Sequence, residues 1–103
     1  MIIKLNIKKS LSALAGYEYG EEIYMNQVEN ELSNLSSIDK IEFLIPEHIE
    51  YIASSFVQGF FSKLIEKKGF SELEKIVEIK SDNENISTED VISKLFEGKK
   101  SRQ

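Results

Sequence analysis

The chain has 103 residues, 41% hydrophobic and 30% charged, with a formal net charge of -5 and no cysteine. That length holds one domain with its own core, the apolar share is too high for a disordered chain, and the lack of thiols excludes a disulfide framework or a thiolate metal site. Nine acids against one lysine between Glu18 and Glu50 oppose tracking of a nucleic-acid backbone, and no apolar run approaches the roughly 20 residues a bilayer span needs.

From Met1 to Lys9 apolar and polar residues alternate, so a strand is predicted over residues 2–8 with Ile3, Leu5 and Ile7 on one face. This start lacks the unbroken apolar block of a secretory leader, and a cytoplasmic location is the expectation. Leu11, Ala13, Leu14 and Ala15 fit a short strand or a packed turn equally well, and Gly16 and Gly20 then bracket the tyrosine pair Tyr17 and Tyr19. A helix is predicted from Glu21, with Tyr24, Val28, Leu32 and Leu35 on one face and its end near Ser36 and Ser37. A strand over residues 40–45 follows, closed by Pro46, which has no N–H for a sheet ladder.

The next helix is predicted over residues 55–68. Phe56, Phe60 and Leu64, flanked by Val57, Phe61 and Ile65, give it a broad apolar stripe, and Gly69 supplies a left-handed C-terminal cap. Ser55 has Gln58 three residues on, the capping-box spacing, which leaves Ser54 one residue outside the helix with a freer hydroxyl. Phe70 and Leu73 read as a packed turn, residues 75–80 as a third strand, and residues 81–85 as a polar loop. Ser87 caps the last helix, with Asp90 in the box position and Ile86 placed to staple onto Val91; Val91, Ile92, Leu95 and Phe96 face inward. Gly98 is the predicted stop, so residues 1–98 form one domain and 99–103 a frayed basic tail. The fold class is α/β, a small mixed or parallel sheet of three to four strands covered by about three helices.

The run Tyr51-Ile52-Ala53-Ser54-Ser55-Phe56, followed by Gly59, Phe60-Phe61-Ser62-Lys63-Leu64, Lys68-Gly69-Phe70 and the strand from Ile76 to Ile79, resembles the STAS-like family, relatives of bacterial anti-sigma-factor antagonists. The resemblance implies a non-enzymatic regulatory module whose strand-helix corner touches a protein partner, a histidine-kinase-like ATPase that binds the corner and phosphorylates a serine there. Ser54, Ser55, Phe56 and Tyr51 are the residues it assigns to partner binding or phosphate acceptance. Antagonist domains carry Asp-Ser-Ser-Gly where this chain reads Ala53-Ser54-Ser55-Phe56, and the Asp-Phe pair of the preceding strand is replaced by Leu44-Ile45-Pro46-Glu47.

Plainer readings stand beside these. Both serines could simply finish a helix, since serine is among the commonest N-cap residues. His48 is the only histidine and reads as an exposed loop residue; no Gly-x-Ser-x-Gly elbow exists for a serine hydrolase, and no cofactor or metal is expected. The acids of residues 18–50 read as a solvated face, Tyr17 and Tyr19 as contact residues or sheet-edge packing. The alternative function is a small-ligand or nucleotide sensor that holds an anion at the same helix N-terminus.

Overall fold

Alternating burial marks the centre of the molecule. In the computed structural model, which describes residues 1–33 and 40–101, three strands lie side by side in the order β1 (Ile2–Lys4), β3 (Ile41–Leu44), β5 (Val77–Lys80), all parallel. Ile3, Ile41, Phe43, Val77 and Ile79 are buried on one face, as the period of two demands. The other face, formed by Ile2, Lys4, Glu42, Leu44, Glu78 and Lys80, is exposed or half-buried. Glu42 and Glu78 stand directly opposite each other there, a like-charge pair relieved diagonally by Lys80 at 4.0 Å from Glu42 and Lys40 at 3.8 Å from Glu78. A second, two-stranded parallel sheet pairs β2 (Ala13–Leu14) with β4 (Tyr51–Ile52).

The predicted α/β architecture holds: a small parallel sheet is covered on its buried face by helices α1 (Tyr17–Gln27), α3 (Ser54–Lys68) and α5 (Thr88–Ser101), with the short α2 (Glu29–Ser33) and α4 (Phe70–Ile76) between them. The first strand is shorter than predicted, but Leu5 and Ile7 still bury their side chains. Its continuation is fastened by side chains. The Gln27 amide accepts from Asn6 N–H at 2.7 Å and donates to Asn6 C=O at 2.8 Å, and His48 Nε2 donates to Lys8 C=O at 2.9 Å. His48 is therefore a half-buried tether, not an exposed loop residue. At the opposite edge Thr88 Oγ1 accepts from Ile79 N–H at 2.8 Å and donates to its C=O at 3.4 Å.

The helix predicted from Glu21 begins four residues earlier, at Tyr17, and breaks at Val28. Gly20, read as a turn marker, is inside it. The reason is tertiary: α1 crosses α3 where Gly20 faces the Phe56 carbonyl and Gly59 faces the Tyr17 carbonyl, so close that neither position has room for a β-carbon. Leu35, Ser36 and Ser37 lie outside the described residues. Tyr24, Val28 and Leu32 are buried as the periodicity requires.

Gly69 ends α3 with φ 84° and ψ 161°, a backbone region that glycine reaches freely, although its ψ is extended and not that of the predicted left-handed cap. The turn predicted at Phe70 and Leu73 is instead α4, started by this same glycine, and it shortens the third strand to Val77–Lys80. Ser87 Oγ accepts from Asp90 N–H at 3.1 Å, as the capping spacing predicts, and Ile86 and Val91 are both buried. The last helix does not stop at Gly98 but runs to Ser101, so residues 99–101 belong to it; residues 102 and 103 lie outside the described residues. A glycine alone does not end a helix, since inside one it costs only about 1 kcal/mol relative to alanine. Among the described residues no helix is long and apolar enough to cross a membrane.

Candidate functional site

Ala53 lies between β4 and α3, and its extended backbone, with ψ 153°, turns the chain from strand to helix. Its N–H donates to Leu14 C=O at 2.8 Å and its C=O accepts from Val57 N–H at 3.2 Å, so one residue closes both the ladder and the first helical turn. Ala53 is therefore the N-cap, and no side chain caps α3. This corrects the capping box placed at Ser55 and the position of Ser54 outside the helix: both serines are in its first turn. The Ser55 hydroxyl is turned away from Gln58 and accepts from Gly16 N–H at 3.0 Å, tying the start of α1 to the start of α3.

The Ser54 hydroxyl donates to Glu97 Oε2 at 2.7 Å, the short distance usual for a hydroxyl on a carboxylate. Ser54 is half-buried and Glu97 exposed, so water reaches the pair. Negative charge beside the first turn of α3 also suits the positive end of its dipole. The carboxylate at this corner comes from another element, α5.

Lys94 lies one turn before Glu97 on α5. Its Nζ donates to Ile52 C=O and to Asp90 Oδ2, the latter at 3.0 Å, and sits 4.4 Å from the centre of the Tyr51 ring. Asp90, Lys94 and Glu97 thus form one polar stripe of α5 laid along the corner. Tyr51 keeps 55% of its surface exposed, the second-highest value among the exposed large hydrophobic side chains of the described residues. Phe56, assigned to partner contact, is corrected: its ring is 3% exposed, stacked on Phe60 at 5.7 Å and tilted against Tyr19 at 5.7 Å, and it belongs to the core. The structure therefore brings together Tyr51, Ser54 and Ser55 at the surface and removes Phe56 from it.

Sequence reasoning missed Lys94 and Glu97. The spacing 90, 94, 97 is a helical stripe and could have shown that the three share a face, but nothing local states that this face meets residues 51–54.

No family model, curated protein or solved structure matches this chain. The corner itself carries the functional argument.

Proposed function

We propose that the chain is a non-enzymatic regulatory module of the STAS-like kind, which acts by protein contact through the corner formed by Tyr51, Ser54 and Ser55. One observation carries this reading. A serine hydroxyl stands in the first turn of a well-packed helix, within reach of water, engaged by an exposed carboxylate and flanked by an exposed tyrosine. Aromatic residues of this type are enriched where proteins meet, and the rigid helix beneath fixes their position.

A phosphoryl group on Ser54 would add a charge of about -1.5 to -2 directly against Glu97. The two negative groups repel, Glu97 is displaced, and the surface changes while the apolar face of α3 is untouched. The partner inferred from the resemblance is a histidine-kinase-like ATPase that reads this surface and modifies it. The second reading, anion capture at the same helix start, is disfavoured because Glu97 already supplies a negative charge there.

Photo-crosslinking in cells tests the proposal, with the photoreactive residue at Tyr51 or, as control, at Ile2 on the open sheet face. The expected result is one protein adduct specific to position 51, lost on Ser54→Asp, together with a phosphoryl group on Ser54 by peptide mass analysis when the captured partner is given ATP. Equal adducts at both positions, or an adduct at 51 indifferent to Ser54→Asp, would refute it.

A further inference from the structure

The three parallel strands end level with one another. Lys4, Leu44 and Lys80 stand in one register row, and beyond them the segments 5–9, 45–48 and 81–82 border a cleft of about 640 Å³. Small-molecule sites commonly enclose about 300–1,000 Å³, and this cleft falls in that range. Lys4, Lys9 and Lys80 line this cleft against Glu47 and Asp82. Among the described residues Lys4 and Lys9 pair with no carboxylate, and Lys80 reaches Glu42 only at 4.0 Å. Three lysines against two acids give the cleft a positive balance in a chain of net charge -5, and two of those lysines, Lys4 and Lys9, are uncommitted among the described residues. The walls are held in place, since Gln27 fastens Asn6 and His48 fastens Lys8.

We propose that this cleft binds a small phosphate monoester. Two strand spacings separate the Cα atoms of Lys4 and Lys80 by roughly 9.6 Å, a gap that two lysine side chains close over one dianion. Lys9 approaches from the loop, and Leu44 and Pro46 offer apolar surface to the ester's organic part. The site lies at the end of the sheet and uses no residue of the Ser54 corner, so it stands or falls independently of the proposed partner contact.

The test is an amide chemical-shift titration of the full chain with phenyl phosphate, run beside sodium chloride at matched ionic strength. Expected are saturable shifts confined to residues 4–9, 44–48 and 80–82, with a Kd below about 1 mM. Lys4→Gln/Lys9→Gln removes two cations that hold no ion pair among the described residues, and it should weaken binding about tenfold with unchanged melting. Lys68→Gln, on α3, should leave affinity unchanged. Shifts that fail to saturate, that chloride reproduces, that centre on the start of α3, or that survive the double substitution would overturn the assignment. So would a short single-stranded oligonucleotide binding the same residues more tightly than phenyl phosphate.

Discussion

Replacing Gly59 with alanine sets two physical effects of opposite sign against each other. The residue lies inside a 15-residue helix, where alanine is preferred over glycine by about 0.8–1.0 kcal/mol. Against this, a β-carbon there would fall 2.8 Å from the Tyr17 carbonyl carbon and 3.0 Å from its Cα, and nearer still to the carbonyl oxygen. Carbon atoms settle about 3.5–4.0 Å apart, so α1 must retreat by roughly 1 Å, and the obstructing atoms are backbone that no rotamer change can move. Retreat loosens the edge-on contact of Tyr24 with Phe60 and the tilted contact of Tyr19 with Phe56. Overpacking costs typically about 1–3 kcal/mol, and rigid backbone on both sides puts this case near 3, leaving a net destabilisation of about 2 kcal/mol once the propensity gain is subtracted. The thermal midpoint should then fall by roughly 10 °C, and urea unfolding should show the same loss. A midpoint equal to or above that of the parent would refute the reasoning, because it would mean that propensity decides and the helices are not in backbone contact.

The Tyr24 hydroxyl is buried with no hydrogen-bond partner among the described residues, so Tyr24→Phe should raise stability by up to about 1 kcal/mol in urea; a loss above that size would show that the hydroxyl is satisfied. Burial, and then the Glu29 carboxylate, hold this phenol above its ordinary 10.0. Stability from the retained proton is complete below the unfolded value and drains away as pH climbs through the folded one, so the parent should lose stability above pH 10 more steeply than Tyr24→Phe. Tyr19, raised by burial and then by Glu22, remains in both proteins and contributes equally. Lys94→Met removes the bond to Ile52 C=O and the contact with the Tyr51 ring, and should cost about 1–2 kcal/mol by urea unfolding, since Lys94 is only 13% exposed; no change would show that α5 is not anchored there. Ser54→Asp should melt within a few degrees of the parent, because favourable charge at the start of α3 offsets repulsion from Glu97, and a double-mutant cycle with Glu97→Gln should show a coupling of roughly 0.5–1 kcal/mol. Zero coupling would place the two groups out of contact.

The strands and the apolar helix faces were legible because each rests on a local period: Ile41 and Phe43 alternate with Glu42 and Leu44, and Phe56, Phe60 and Leu64 repeat at helical spacing. The last N-cap was legible for the same reason, since Ser87 and Asp90 are three residues apart and need nothing distant to meet. The corner was legible only in part. Ser55 has every local mark of a cap, yet its hydroxyl serves Gly16, 39 residues away in sequence, and the position of Ala53 is set by pairing with Leu14. Gly20 reads as a helix breaker until α3 lies across it. The local spacing puts Glu97 on one face with Asp90 and Lys94 but does not say what that face meets, because its role exists only once α5 has docked on the corner.

Gln27 and Thr88 have a consequence for how this protein can be recognised. A row of vacant amides along a sheet margin is an invitation for a foreign strand to zip on, and each margin here has its invitation withdrawn at one residue by a side chain that answers donor and acceptor alike. At Asn6 and at Ile79 no guest peptide can continue the ladder without first evicting a resident amide or hydroxyl. Selectivity for another molecule is thereby shifted from main chain, which every protein shares, to the particular side chains this one displays.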